Sequence, residues 1–412
     1  MKMNMQIPAP VEWILDTLKK NGYEAFAVGG CVRDTLLGRT PGDWDITTSA
    51  RPEQVKAVFR HTVDTGLQHG TVTVLKDHVG YEVTTYRIDG EYLDGRHPKS
   101  VTFTPSLEED LKRRDFTVNA MAYSHETGLV DLFGGLEDLR RRMIRCVGNP
   151  MDRFTEDALR ILRAIRFSAQ LGFSIDPATK AALSVMAPNL RHVSKERILA
   201  ELTKLLKSSH PERMELVHET GMAPFIAGGF EAAVRDWQRE RRLLALAGKR
   251  LPEKKALRWA AFLAEAEPGE AAGILRALKS DNDTVSRAKT LLSWIRRPVP
   301  DDPAAVRRAM SAMADDEFDD LLKLRGLLWE ADMPVPSSPA RLACLRDEIR
   351  ARGDCIRLRD LKVGGRELMA AGAKPGREVG RILNELFSWV LDDPSRNTAE
   401  QLLGKLGNEF LK

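Results

Sequence analysis

The 412 residues exceed what one hydrophobic core usually organises, so two or more domains are expected and a single disulfide-stapled module is excluded. With 43% hydrophobic residues, 30 Gly and 21 Pro, the composition is that of a globular protein, neither collagen-like nor disordered. The 63 Lys and Arg against 59 Asp and Glu leave a net charge of +4, which permits a polyanionic partner without requiring one.

Cys31, Cys146, Cys344 and Cys355 lie far apart and form no CxxC pair, so neither a zinc knuckle nor a disulfide framework is suggested. No apolar run has the length of a signal peptide core or a membrane span. A soluble, cytoplasmic protein is expected.

Residues 10 to about 147 mix patterns. An amphipathic helix over Val11 to Lys20 is followed by an apolar strand at 25 to 28, a glycine turn, and strand-like DWDIT, TVTVL and YEVTTYRI. From about Thr155 helical spacing dominates, as in DALRILRAIRFSAQLGF and KERILAELTKLLK. The fold class is therefore α+β: a small β-sheet head followed by an all-helical remainder. Punctuation by Gly and Pro sets segments at 1–147, 148–215, 216–315 and 316–412.

Along this chain the chemistry-bearing residues come in order. FAVGGCVRD runs strand, Gly29-Gly30, then a helix opening, where backbone N–H groups face outward and two glycines admit a phosphate to the backbone. Arg33, in the first helical turn, adds a forked donor, although a lone GG more often marks only a tight turn. In PGDWDITTS, Asp43 and Asp45 are two apart in a predicted strand, so both carboxylates share a face and suit a divalent cation with open positions for phosphate. Glu82 on a further strand could bring a third carboxylate or simply line a solvated face.

LKRRDFTVNAMAY reads as a basic helix start carrying Arg113, Arg114, Asp115 and Asn119. RFTEDALRILRAIRF reads as one helix on which Asp157 and Arg160 are neighbours, with Arg163 and Arg166 continuing at the same step.

Taken together, GGCVRD, DWD, RRDFTVNA, DLFGGLEDL (131 to 139), EDALRILRAIRF and SKERILAEL (194 to 202) resemble, in order and spacing, the signatures of the class II nucleotidyltransferase superfamily, and specifically the bacterial tRNA CCA-adding enzymes. Beyond about residue 210 the likeness is one of layout. The resemblance implies a head, neck, body and tail with tRNA along the helical part. It also implies template-independent addition of C, C and A to a tRNA 3′ end from CTP and ATP, with no obligate protein partner evident. Asp43 and Asp45 would hold Mg²⁺; Gly30 and Arg33 would contact the triphosphate and Arg114 the sugar and phosphates; Asp157 and Arg160 would read the base, and Arg163 and Arg166 would complete the pocket. DLFGGLEDL would be a hinge between head and neck, SKERILAEL a helix supporting the base-reading one, and the polar segment 87–103 the flexible loop of complete CCA-adding enzymes.

The rivals are an A-adding enzyme or poly(A) polymerase of the same superfamily, and a non-catalytic RNA-binding relative. Residues 350 to 412 carry 12 Lys and Arg against 9 Asp and Glu, a balance that suits defined docking better than sequence-blind RNA binding.

Overall fold

The computed structural model describes residues 5–90 and 101–409, and the chain divides into two units, one of residues 1–231 with 277–279 and one of 232–276 with 280–412. The first unit opens with α1 (Ala9–Lys20), whose Val11, Ile14, Leu15 and Leu18 recur at helical spacing and are buried. Each such side chain contributes about 1.5–3 kcal/mol through burial. Gly22, at a φ of +85°, ends the helix and releases the chain into β1 (Ala25–Val28).

The head is completed by α2 (Gly30–Leu36), β2 (Ile46–Thr48), α3 (Pro52–Val58), β3 (Thr62–Gly66), β4 (Thr71–Lys76), β5 (Val79–Thr85), β6 (Arg87–Asp89), β7 (Val101–Phe103), α4 (Leu107–Lys112), β8 (Met121–Ser124), β9 (Gly128–Asp131) and α5 (Gly135–Arg141). Seven strands form one mixed sheet in the order β3-β4-β5-β2-β1-β8-β9, parallel at β2–β5 and antiparallel elsewhere. One face packs on α1 and α3, where Ile46, Val72, Val74 and Val83 join the helical side chains. Successive strand residues alternate faces, so Thr47, Thr73 and Glu82 look the other way.

β10 (Met143–Ile144) and β11 (Ser174–Ile175) pair in parallel around α6 (Pro150–Glu156) and α7 (Leu159–Leu171), which are followed by α8 (Pro177–Met186), α9 (Lys195–Leu206), α10 (Glu215–Glu219) and α11 (Ala223–Ile226). The second unit is helical: α12 (Trp237–Arg250), α13 (Lys255–Phe262), most of α14 (Pro268–Ala277), α15 (Asn282–Ile295), α16 (Pro303–Ser311), α17 (Glu317–Glu330), α18 (Pro339–Arg352), α19 (Gly365–Ala370), α20 (Arg377–Asp392) and α21 (Ala399–Glu409). Its far end has its own core around Ile382, Leu386, Val390, Leu402 and Leu406. No helix among the described residues is long and apolar enough to cross a membrane.

Three local expectations are corrected. Asp43 and Asp45 precede β2 instead of lying within it; only the Asp45 carbonyl joins the sheet edge, accepting from the Val28 N–H at 3.0 Å. Arg113 to Asp115 sit in a turn after α4, not at a helix start, and β8 follows. EDALRILRAIRF is two helices, not one, because Asp157 breaks the chain with φ −140° and ψ 104°. Of the polar segment 87–103, the ends pair as β6 and β7, and residues 91–100 lie outside the described residues.

Candidate active site

The turn after β1 gathers the first wall. Gly29 adopts a φ of +79° as it leads into α2, a conformation that favours glycine. A side chain there would also press on Arg114, whose Nη1 lies 3.1 Å from where its Cβ would stand.

Arg33 is buried and committed within the protein. Its Nε and Nη2 donate to the two Asp34 oxygens at 2.9 and 2.8 Å, and its Nη1 donates to Asn119 Oδ1 at 2.6 Å. Asn119 in turn donates to Asp115 Oδ1 at 3.2 Å, and Asp115 Oδ2 accepts Nε and Nη2 of Arg163 at 2.8 and 2.6 Å. A continuous polar chain therefore runs from α2 through the RRDFTVNA turn to α7. Burial works against ionisation of Asp115, but the Arg163 and Arg160 charges outweigh it and hold the carboxyl down to about 2.

Asp45 stands beside Arg114 and Asp43. Its tip reaches solvent, yet the protein crowding it raises its pKa, Arg114 opposes that rise, and the Asp43 charge adds to it. Glu82 also titrates higher than an ordinary glutamate, first through burial and then through Asp45 and Asp43. Its strand explains the approach: Val83 pairs in parallel register with Ile46, which places Glu82 alongside Asp45.

Among the described residues, no group of three or more His, Cys, Asp and Glu is arranged to hold a metal ion. Asp43 and Asp45 are the pair expected to hold a divalent cation. Mutual repulsion of these carboxylates favours a cation between them, and magnesium commonly takes one or two protein carboxylates plus substrate phosphate.

The residues expected to read the base divide between an interhelical break and a helix. Asp157 Oδ1 accepts the Leu159 N–H at 3.0 Å and Oδ2 accepts Arg197 Nη2 at 2.8 Å, so α9 fixes the carboxylate. Arg160 does not bond to the Asp157 side chain. Its Nη1 donates to the Arg153 carbonyl at 3.2 Å and to Glu156 Oε2 at 2.6 Å, and its Nη2 donates to the Arg113 carbonyl at 2.8 Å. These bonds use three of its five N–H groups and leave the Nε edge with one Nη2 hydrogen.

Arg166 bonds Glu201 Oε2 at 2.6 Å and Gln170 Oε1 at 2.7 Å and lies 3.6 Å over the Phe167 ring, so it serves the α7–α9 contact and is not an open donor. Arg33 and Arg163 approach the same ring at 5.1 and 5.3 Å. The 131 to 139 segment is tied down as well: Asp131 caps α5 through the Gly135 and Leu136 N–H groups, and Asp138 accepts from Thr117 and Arg145.

Sequence reasoning missed Asp110, Glu156, Phe167, Arg197 and Glu201. Asp110 precedes Arg113 and Arg114 at the helical steps of three and four, a legible pairing signal. Arg197 is 40 residues from Asp157, and no local pattern announces such a partner.

A mixed sheet with two neighbouring carboxylates just before β2 and beside a glycine turn, followed by the helix pair α6 and α7, is the arrangement of a nucleotidyltransferase of the poly(A) polymerase superfamily. Residues 25–145 match the poly A polymerase head domain, residues 172–233 the probable RNA and SrmB-binding site of polymerase A, and residues 251–406 tRNA nucleotidyltransferase domain 2. The CCA-adding enzyme of Limosilactobacillus reuteri is 37% identical over 418 residues, covering 97% of both chains, and that of Geobacillus kaustophilus is 38% identical over 94% of both. The crystal structure of the Bacillus stearothermophilus CCA-adding enzyme in complex with CTP superposes with a TM-score of 0.80 at 35% identity, covering 98% of both chains. The chain belongs to the CCA-adding enzyme family.

Proposed function

We infer that the chain adds C, C and A in turn to the 3′ end of tRNA, using CTP and ATP and releasing pyrophosphate. The observation that best supports this reading is the convergence of Asp45, Arg114 and the Gly29 turn, with Asp43 and Glu82 adding charge from beside them. In each step the 3′-hydroxyl oxygen bonds to the α-phosphorus, the bond to the bridging oxygen breaks, pyrophosphate leaves and the hydroxyl proton is lost. Mg²⁺ held by Asp43 and Asp45 would acidify the 3′-hydroxyl and neutralise charge on the triphosphate.

The remaining work falls to the chain. The phosphates would lie beside the Gly29–Gly30 turn, where Arg114 supplies positive charge. Arg33, bonded to Asp34 and Asn119 through three of its five N–H groups, shapes this wall from within.

Asp157 retains free lone pairs to accept the exocyclic amine of cytosine or adenine, while the unused Arg160 edge donates to the neighbouring ring acceptor. Uracil and guanine carry a carbonyl where the amine belongs, and such acceptor-to-acceptor contact discriminates by about 10⁴-fold or more. Arg163 and Arg166 hold the reading helix in place. Acting on tRNA, the protein belongs in the cytoplasm, and its free cysteines require no oxidising compartment.

The test is a primer series: tRNA ending before CCA, after C and after CC, supplied with CTP, ATP or both and Mg²⁺. Full CCA synthesis from the first primer, abolished by EDTA and by Asp43→Ala, is expected. Addition of A alone to the CC primer, or long A tracts on any RNA, would instead identify the A-adding or poly(A) polymerase activity.

A further inference from the structure

We propose that Asp110 is a positioning residue that holds Arg114 against the Gly29 turn and ties it, through Thr47, to the strand that follows Asp45. The inference rests on the nucleotidyl-transfer reading above and names a residue that serves it without touching substrate.

The Asp110 side chain has no exposed surface, although it sits on a helix of only six residues. A buried carboxylate persists only when its oxygens are well supplied with donors. Here both are saturated. Oδ1 accepts Nε and Nη2 of Arg113 at 3.0 and 2.7 Å, and Oδ2 accepts Thr47 Oγ1 at 3.0 Å and Arg114 Nη2 at 3.3 Å. Thr47 lies two residues beyond Asp45 in extended chain, and therefore on the same face. One carboxylate thus joins the RRDFTVNA turn to the strand next to the acidic pair.

The two arginines are held differently. Arg113 takes the forked bond, whereas Arg114 is held by one longer bond that orients its guanidinium without using it up. Arg114 Nε is buried and has no hydrogen-bond partner. Such an orphaned donor is costly, and it leaves Arg114 with hydrogen-bonding capacity that the protein does not use. Without the Asp110 charge, Arg114 is drawn toward Asp45, whose field it already feels, and the guanidinium then competes for the cation-binding carboxylates.

The experiment is a double-mutant cycle of Asp110→Asn and Arg114→Gln, read as kcat and KM for CTP on tRNA lacking CCA, with the Mg²⁺ half-saturation and the melting temperature recorded for each variant. Asp110→Asn is expected to lower kcat/KM by about 10- to 100-fold, mainly through KM, and to raise the Mg²⁺ requirement. In the Arg114→Gln background the same change should cost less than about threefold, because the residue it acts through is already gone. Losses that multiply, or an Arg113→Gln variant that reproduces the whole Asp110→Asn effect, would overturn the proposal. Should Asp110→Asn unfold at the assay temperature, Thr47→Val, which removes one bond to the same oxygen, replaces it in the cycle under the same criteria. A wild-type protein that incorporates no CTP would overturn the nucleotidyl-transfer reading itself, and this inference with it.

Discussion

At residue 29 the chain turns with a φ of +79°, and Arg114 Nη1 occupies the approach that a Cβ would block at 3.1 Å. Both facts bear on one substitution. Gly29→Ala imposes a left-handed conformation on a residue with a side chain, which costs roughly 1 kcal/mol or more. It also pushes the guanidinium away from the turn. A few tenths of an ångström at a charge that must meet a triphosphate is a large displacement, since misplacement by about 1 Å can cost about 10²-fold. Gly29→Ala is therefore expected to raise KM for both CTP and ATP by at least tenfold while leaving tRNA binding unchanged, as measured by steady-state kinetics and filter binding. Gly30, whose hypothetical Cβ would meet only Arg33 Nη2 at 3.7 Å, should tolerate the same change far better. Equal losses at the two positions would show that the turn acts merely as a flexible connection.

Among the elements, the link between the head turn and α7 turns on Asp115, which takes Arg163 on one oxygen and Asn119 on the other. Its folded carboxyl titrates at about 2, below the ordinary 3.8, so its ionised form adds stability above pH 4 that is lost as the pH falls toward 2. The difference corresponds to about 2 kcal/mol. Asp115→Asn should accordingly be less stable than the parent at pH 7 and converge on it between pH 4 and pH 2, as read from urea midpoints. A gap that stays constant across that range would deny the ion pair its role.

This link also marks how far the sequence could be read. The spacing of Asp157, Arg160, Arg163 and Arg166 reads as one helical face, but a helical period cannot register one residue that leaves the helix, and Asp157 does so. The Asp43 and Asp45 pair was visible as two acidic residues, whereas their position just outside β2 depends on which residue first pairs with β1 and β5. Partners such as Glu201 and Arg197 come from α9, and long-range ion pairs leave no local pattern.

At the scale of the whole molecule, the helical two thirds were legible as a class because their apolar residues recur at helical spacing, yet their charges could not be interpreted from count alone. Many cations of the second unit are already neutralised within it: Arg242 by Asp332, Arg250 by Glu330, Arg308 by Asp392 and Arg357 by Asp315. Phosphate contacts release counterions in proportion to their number, so the salt dependence of tRNA binding reports how many cations meet the backbone. With about two or three phosphate contacts, KM for tRNA should rise by about 10- to 50-fold between 50 and 200 mM NaCl. A sequence-blind RNA polymerase that tracks six to ten phosphates would lose about 10³-fold or more over the same interval. At saturating tRNA, kcat should change little, because tRNA binding no longer limits the rate. A steep slope for tRNA, equal on any RNA of the same length, would mean that the helical unit grips backbone generally, and the reading of defined tRNA docking would give way to the poly(A) polymerase alternative.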